Sequence, residues 1–390
     1  MNEPSSKPMY EKIFDEVKRR ILTKQYGRGE RIPSEKELAD EYNVSRITSK
    51  KALELLAGER LIVRKPGRGS FVADPESGYD SAAVRGGAAG TVQLGRLEDG
   101  PEGTALGLIM TDFGNSYGTG LIYGIEEASR ERGCSLVLRR SFGVPEQEEQ
   151  SIRHMLRLGV GGLIVMPAQG KYFNAEILKL VVDQFPLVLV DRHLKGVAAA
   201  SISTDNAAAA QEATEYLFRL GHRNIAFLSP PPDDTTAVEE RIEGVIRAHA
   251  ERGVAADRAL WICDLTSTLP DSFKDENIER DIERLVRHLE RHPAITALFA
   301  SEYNIALLAK EAVRRLGLRI PDDISIICFD SPPNRLEAGY AFTHLRQHEE
   351  QMGRLAVEHV LDIRSGRAAP GKTLLEAELV IGESTGPVKA

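Results

Sequence analysis

Short apolar runs recur along most of the chain, and they constrain its fold more than any other feature. Nine runs of three to six residues are separated mostly by helix-like stretches. This strand–helix rhythm is typical of α/β domains with parallel sheets. The runs occupy residues 105–110, 136–138, 162–166, 187–190, 201–203, 225–228, 259–263, 296–300 and 324–329.

One stretch of this region resembles another. A strand-like run, a polar loop and a helix containing Gly124 end in an Arg-Gly pair at 132–133. The same succession contains Gly244 and ends in Arg-Gly at 252–253, so both features are offset by 120 residues. Two halves built alike predict two similar lobes that face each other.

The chain is too long for one ordinary core, since it has 390 residues. Residues 1–74 form one predicted domain, and residues 104–390 form the α/β domain. Between them, residues 75–103 are rich in Gly, Ala, Ser and Asp and have no apolar periodicity, which predicts a flexible linker.

Charge is distributed unevenly between these parts. The chain carries a net charge of −8, yet residues 1–74 hold 16 Lys/Arg and 12 Asp/Glu, which gives +4 there and −12 elsewhere. A basic module on an acidic body favours one small domain that meets a polyanion.

The composition indicates a soluble cytoplasmic protein. It is 42% hydrophobic and 28% charged, and its apolar runs are too short to span a membrane. No apolar segment near Met1 predicts a secretory signal. Cys134, Cys263 and Cys328 are far apart and odd in number, which argues against a disulfide framework or zinc cluster and fits a reducing compartment.

The first domain has the signals of three helices and a hairpin. Residues 9–26 are amphipathic, and Ser34 with Glu37 forms a capping box that opens a second helix. Ser45 caps a third helix that runs to about Gly58. Its predicted inward side chains are Ala52, Leu55 and Leu56. Strand-like runs at 61–64 and 70–72 flank a Gly- and Pro-containing tip.

This set of features is similar to the winged helix-turn-helix of the gluconate-repressor (GntR) family over residues 8–73. The matching motifs are Pro33-Ser34-Glu35-Lys36-Glu37-Leu38-Ala39, Val44-Ser45-Arg46-Ile47-Thr48 and Pro66-Gly67-Arg68-Gly69-Ser70-Phe71-Val72. The resemblance implies double-stranded DNA as a partner. The third helix has the polar, cationic face that a major groove about 12 Å wide admits.

The predicted DNA-binding residues lie on the second and third helices and on the wing. Arg46 suits either a guanine edge or a phosphate, and Arg68 suits a minor-groove or phosphate contact. Ile47 stands where Thr is common in the family, so no polar contact is assigned to it. The full set is Lys36, Ser45, Arg46, Thr48, Ser49, Lys50, Arg68 and Gly69.

Residues 104–386 resemble the effector domain of the lactose/galactose repressor family, which is built like periplasmic ribose-type binding proteins. The matching motifs include Gly107-Leu108-Ile109, Val188-Leu189-Val190-Asp191-Arg192, Gly221-His222-Arg223-Asn224-Ile225-Ala226, Glu240-Arg241-Ile242-Glu243-Gly244 and Ile324-Ser325-Ile326-Ile327. The fold expected is therefore α/β: a winged helix-turn-helix joined by a linker to a two-lobed domain with parallel sheets. This combination is similar to the arabinose repressors of Gram-positive bacteria.

The resemblance implies a sugar site at the strand ends that face the cleft, where carboxylates and guanidinium groups bond adjacent hydroxyls. The predicted residues are Asn115, Tyr117, Asp191, Arg192, Arg241, Glu302, Asp330 and Gln347. Asp191 and Arg192 fit a surface ion pair equally well. Gly118 replaces a second aromatic of the family pattern. Glu302 replaces the usual Asn, which favours either more hydroxyl contacts or a cationic or differently shaped ligand.

Enzyme chemistry is not expected. No lysine lies in a pyridoxal-phosphate context, and no GxxxxGK[ST] or GxGxxG motif follows a strand, so no cofactor is predicted. His288 and His292 are four residues apart on a helix end, but no Glu lies between them at the position of the metalloprotease pattern, so no metal is predicted.

The sequence therefore predicts a transcription regulator, a homodimer on a two-fold operator, that a small sugar releases from DNA. The effector expected is an arabinose-like pentose or another monosaccharide. Whether the sugar is phosphorylated, which operator is bound, and whether the protein represses or activates stay open.

Overall fold

The computed structural model describes residues 9–22, 25–27, 29–58, 61–65, 69–72, 103–114, 116–168, 174–233, 235–332 and 340–389. The chain divides into two compact units, residues 1–92 and 93–390. Apart from Gly103, the predicted linker lies outside the described residues. Its limits at 75 and 103 therefore stay a prediction.

The first unit is a small helical domain with a three-stranded sheet. Its helices are α1 (Met9–Leu22), α2 (Glu35–Glu41) and α3 (Arg46–Gly58), and its strands are β1 (Arg31–Ile32), β2 (Ile62–Lys65) and β3 (Gly69–Val72). The strands are antiparallel in the order β1-β3-β2. The buried core contains Ile13, Val17, Ile32, Leu38, Ala52, Leu53, Leu56, Ile62 and Val72.

Local signals located these helices well. The capping box is confirmed, because Ser34 Oγ accepts from the Glu37 amide at 3.3 Å and Glu37 Oε2 accepts from the Ser34 amide at 2.7 Å. The prediction that Leu55 of α3 faces inward was wrong. Leu55 is 40% exposed, whereas Leu53 is 1% exposed and packs in the core. Both fit a helical period, and the packing of α1 against α3 decides between them.

The second unit alternates strands and helices. In chain order its elements are β4 (Ala105–Met110), α4 (Thr119–Glu131), β5 (Ser135–Arg140), α5 (Pro145–Arg157), β6 (Gly162–Val165), α6 (Ala175–Val182), β7 (Leu187–Val190), β8 (Ala200–Thr204), α7 (Asn206–Arg219), β9 (Ile225–Leu228), α8 (Thr236–Glu251), α9 (Asp275–Arg291), β10 (Ala297–Ala300), α10 (Tyr303–Arg315), β11 (Ser325–Phe329), β12 (Thr343–Arg346), α11 (Glu349–Arg364), β13 (Lys372–Leu375) and β14 (Glu378–Val380).

These elements form two lobes. Lobe 1 has a parallel sheet in the order β13-β8-β7-β6-β4-β5, and lobe 2 has β14-β12-β11-β10-β9, parallel except for β14. The chain crosses between the lobes after β8, after β12 and after β13. Consequently α7 packs in lobe 2 against α8, and α11 packs in lobe 1 against α4. The predicted two-lobed α/β fold with parallel sheets is confirmed.

The prediction of a strand at 259–263 was wrong. A 3-10 helix occupies Arg258–Leu260, and one isolated parallel bridge joins Ile262 to Leu228 of β9. Asp257 caps that short helix by accepting from the Ala259 amide at 2.9 Å, which favours a turn over an extended chain. The bridge nevertheless lies beside β9 as β5 lies beside β4, so the two lobes share their strand order.

The paired glycines of the sequence repeat have equivalent places. A Cβ on Gly124 of α4 would lie 2.1 Å from the Glu350 carbonyl oxygen of α11. A Cβ on Gly244 of α8 would lie 2.1 Å from the Ala207 carbonyl oxygen of α7. Each glycine lets its helix approach the helix that has just crossed from the other lobe.

Candidate ligand cavity and DNA-binding face

A cavity of 120 Å³ lies between the lobes, at the carboxyl ends of their parallel strands. Its walls contain every predicted effector residue that the structure describes; Asn115 lies outside the described residues. The lining residues from the prediction are Tyr117, Asp191, Arg192, Arg241, Glu302, Asp330 and Gln347.

Two aspartates occupy matching positions in the two lobes. Asp191 directly follows β7, and Asp330 directly follows β11. β7 is the third strand of lobe 1 counted across the sheet from β4, and β11 is the third strand of lobe 2 counted from β9. Both aspartates have left-handed backbone conformations, with φ of 69° and 63°. Aspartate tolerates this region better than most residues, and such strain is concentrated at functional sites. The turn directs both carboxylates into the wall of one cavity.

In lobe 1, Asp191 is 5% exposed and forms the centre of a polar group. Its Oδ1 accepts from the Tyr117 hydroxyl at 2.6 Å, and its Oδ2 accepts from Arg192 Nε at 2.9 Å. Burial raises the pKa of Tyr117 well above its usual value, and the Asp191 charge raises it further. The Asp191–Arg192 pair is thus part of the cavity rather than an exposed surface pair.

In lobe 2, Arg241 is held rigidly. Its Nε donates to Asn206 Oδ1 at 2.8 Å, Nη1 donates to the Ser301 carbonyl, and the guanidinium carbon lies 3.7 Å from the Phe329 ring centroid. Burial lowers its pKa, while Asp330 opposes that shift. These contacts fix the plane of a side chain that is 7% exposed.

Gln347 connects the lobes at the second crossover. Its Nε2 donates to both carboxylate oxygens of Asp330 at 3.1 Å, and its Oε1 accepts from Thr204 at the end of β8 at 2.6 Å. Burial raises the pKa of Asp330 well above its usual value, with Arg241 acting in the opposite direction. A ligand that contacts Asp330 is therefore one hydrogen bond away from the connection between the lobes.

Several polar oxygens in the cavity wall have no partner. Among the described residues, Thr235 Oγ1, Ser301 Oγ and Glu302 Oε1 are buried atoms without a hydrogen bond. Buried polar atoms are almost always bonded in native proteins, so unpartnered oxygens in a cavity wall are suited to hydrogen-bonding a polar ligand. Sequence reasoning missed Thr235 and Ser301, although each adjoins an identified element end.

Glu349 lies behind this cavity at the start of α11. Its Oε2 accepts from the Gly118 amide at 2.6 Å and the Leu121 amide at 3.3 Å, at the amino end of α4. Burial raises its pKa to about 7, the Asp191 charge also raises it, and the amide hydrogen bonds lower it. The sequence did not mark it, because its partners are backbone groups 228 or more residues away.

The lobes also touch at the rim of the cavity. The Thr236 hydroxyl donates to the His193 carbonyl at 3.0 Å and accepts from its amide at 3.3 Å. Lys372 Nζ lies 3.0 Å from Glu240 Oε1, and Lys195 pairs with Glu239. We call this set the interlobe latch: His193, Lys195 and Lys372 of lobe 1, with Thr236, Glu239 and Glu240 of lobe 2.

On the first unit, the predicted DNA face is largely open. Lys36, Ser45, Arg46 and Lys50 are exposed. Ser45 Oγ accepts from the Thr48 amide at 3.3 Å and lies 2.9 Å from Thr48 Oγ1, which ties both hydroxyls to the start of α3. Exposed cations at the amino end of a helix are the arrangement that groove-reading helices use.

Ser49 does not belong to this face. It is fully buried, and its hydroxyl donates to the Glu35 carbonyl of α2 at 2.7 Å and to the Arg46 carbonyl at 3.1 Å. Its prediction as a DNA contact is therefore wrong; it joins α2 to α3. Periodicity alone could not separate it from its exposed neighbour Lys50.

The wing is described in part. Arg68 lies outside the described residues. Gly69 opens β3 with a φ of 106°, and a Cβ there would lie 3.1 Å from Arg31 Nε. Arg31 is an exposed cation beside the wing that sequence reasoning missed.

Two protein-family models match the chain, one in each compact unit. Residues 9–72 match the model for bacterial regulatory proteins of the gntR family, and residues 214–385 match the periplasmic binding protein-like domain. This chain is a transcription regulator: it joins a gntR-type DNA-binding domain to a periplasmic-binding-protein-like body. The arabinose metabolism transcriptional repressor of Geobacillus stearothermophilus is 27% identical over 97% of this chain and 98% of its own length.

Solved structures share the fold of the regulator's body. The transcription regulator CcpA of Lactococcus lactis superposes with a TM-score of 0.63 at 20% identity, covering 72% of this chain and 99% of its own. A LacI family regulator from Enterococcus faecium, solved with bound ribose, gives 0.60 at 22% identity, covering 73% and 100%.

These relatives are transcription regulators, in agreement with the prediction that this regulator is not an enzyme. In the part of the chain that the structure describes, none of the helices has the length and apolar character needed to cross a bilayer.

Proposed function

We propose that this regulator is a cytoplasmic repressor that leaves its operator when a monosaccharide fills the cavity between the lobes. The observation that carries the proposal is the cavity itself. Both lobes supply its walls, and three buried oxygens there have no partner within the described residues. Hydroxyl groups of a sugar supply the missing donors and acceptors.

The arrangement of the walls supports ligand-driven closure. Asp191 and Tyr117 come from lobe 1, Arg241 and Glu302 from lobe 2, and Gln347 from the connection between them. A ligand that bonds both sets stabilises the closed arrangement by its differential affinity. The relative from Geobacillus stearothermophilus is named as a repressor of arabinose metabolism, which makes L-arabinose the first sugar to test.

The partner on the DNA side is double-stranded operator DNA, read by the open face of α3. Two copies of the chain on a two-fold operator are expected, since one small winged domain contacts too little DNA for tight specific binding. Lys36, Ser45, Arg46, Thr48, Lys50, Arg68 and Gly69 remain the proposed contacts. The domain limits 1–74, 75–103 and 104–390 are proposed with them.

The test is a thermal-shift screen over pentoses and hexoses, followed by gel shifts on fragments from the neighbouring genome. A sugar at 100 times its dissociation constant should stabilise the protein by about 2.7 kcal/mol. The same sugar should weaken DNA binding, and DNA should weaken sugar binding by the same factor. Unequal factors, or a sugar that leaves DNA affinity unchanged, would contradict the proposal.

A further inference from the structure

Acidic and basic side chains are unequal in number in the cavity wall. Three carboxylates line it (Asp191, Glu302 and Asp330), against two guanidinium groups (Arg192 and Arg241). Buried charges in proteins are normally paired, because removing an isolated ion from water is costly. One carboxyl group of the described lining therefore has no guanidinium partner of its own.

The contacts show which one it is. Arg192 forms its ion pair with Asp191 at 2.8 Å. Arg241 and Asp330 are each other's strongest charge partner, since each favours the ionised form of the other. Glu302 is left over: Oε1 is buried and accepts no hydrogen bond from the described residues. Burial raises the pKa of Glu302, whereas the neighbouring Thr268 hydroxyl and the positive charges of Arg241 and Arg192 lower it.

The helix ends at the cavity do not compensate for this surplus carboxyl group. Helix amino termini attract anions. At the cavity, however, Glu302 itself is the residue that precedes the first turn of α10, and Glu239 lies in the first turn of α8. Both positive helix ends therefore already have a carboxylate nearby.

We propose that the effector is a monosaccharide without a phosphate or carboxylate group, and that Glu302 is the residue that rejects anionic sugars. The inference rests on the proposed sugar-sensing function and narrows its ligand class. A hydroxyl donates to Glu302 Oε1, whereas a phosphate or carboxylate there meets a like charge in a site that water screens poorly.

The first test compares sugars that share a ring and differ in charge. L-arabinose, D-galactose and D-galacturonate have matching ring stereochemistry, as do D-xylose, D-glucose and D-glucuronate; D-ribose and D-ribose 5-phosphate complete the panel. Calorimetric titration of the full chain at pH 8, where the Glu302 carboxylate is more fully ionised, gives the dissociation constants. We expect a neutral member to bind at least about tenfold more tightly than its anionic counterpart.

The second test uses Glu302→Gln, which keeps the shape and removes the charge. The ratio of anionic to neutral dissociation constants should fall about tenfold. Glu290→Gln is the matched control, because Glu290 is an exposed glutamate on α9 that does not line the cavity. It removes one charge from the same lobe and should leave that ratio unchanged.

The outcomes separate this inference from the function on which it rests. If an acid or phosphate binds more tightly than its neutral parent, the inference is overturned and sugar sensing stands. An unchanged ratio in a folded Glu302→Gln protein overturns the role of Glu302. Absence of binding by every sugar overturns the proposed function, and the inference with it. The panel on the unmodified chain decides the ligand class even if the variant fails to fold.

Discussion

The interlobe latch should contribute to sugar affinity without touching the sugar. Its two lysine–glutamate ion pairs are partly exposed: side-chain exposures are 67% and 32% for Lys195–Glu239, and 42% and 21% for Lys372–Glu240. Exposed pairs contribute about 0.2–1 kcal/mol each, so the two together stabilise the closed lobes by about 1 kcal/mol. If sugar binds only the closed form, losing them weakens apparent affinity by up to about fivefold.

Lys195→Met with Lys372→Met is the best perturbation. The lysines are preferable to Glu240, because Glu240 also accepts from Asn206, which holds Arg241 in the cavity. Calorimetric titration of this double variant at low salt, with the sugar that the screen identifies, should show the weaker sugar affinity. The unmodified protein should lose a similar amount at 0.5 M salt, where surface charges are screened.

The control and the contrary result are equally specific. Lys274→Met removes a lysine that pairs with Asp271 within lobe 2 at 3.5 Å, so it should leave sugar affinity unchanged. If the double variant binds sugar as tightly as the unmodified protein at every salt concentration, the latch does not stabilise the closed lobes.

Three further outcomes are expected. Arg46→Ala should weaken operator binding by about 1–3 kcal/mol if it reads a base, and should flatten the salt dependence by about one unit if it contacts a phosphate; unchanged gel shifts at fixed salt would remove it from the DNA face. Gly124→Ala should destabilise the body by about 1–3 kcal/mol in urea unfolding, because its Cβ would meet a backbone oxygen at 2.1 Å, whereas Gly371→Ala, with nothing within 4 Å, should not. Because the pKa of Glu349 is raised to about 7 in the folded protein, the unfolded chain releases this proton first, and stability should fall between about pH 4.5 and 7, by at most about 3 kcal/mol. Glu349→Gln should lack that part of the pH dependence, and an equal slope in the variant would contradict the assignment.

The sequence predicted correctly those features that depend on neighbouring residues, such as helix starts and strand ends. The capping box at Ser34 and the polar residues directly after buried strands, such as Asp191 and Asp330, were found because neighbouring residues specify them. Their position at one cavity was predicted because ligands of parallel-sheet domains bind at the carboxyl ends of the strands; the residues alone did not indicate it.

Contacts between distant segments were beyond this reasoning. The last three strands, β12 to β14, were not predicted, because each short run contains exposed side chains and none forms a clear apolar pattern. Ser49 was misplaced because its partner is a carbonyl of another helix. The unpartnered hydroxyls of Thr235 and Ser301 gain meaning only once both lobes enclose them.

The exchange of helices between lobes affects how the protein is made. Lobe 1 contains β4 to β8, but its sheet ends with β13 and its α4 packs against α11, which begins at Glu349. A ribosome therefore delivers nearly all of lobe 2 before lobe 1 has its last strand. Until α11 has been made, the surface of α4 around Gly124 is uncovered in the nascent chain. A chain that ends before α11 should therefore depend on chaperones more than the complete chain does. This should hold even though strands β4 to β8 of lobe 1 have already been made.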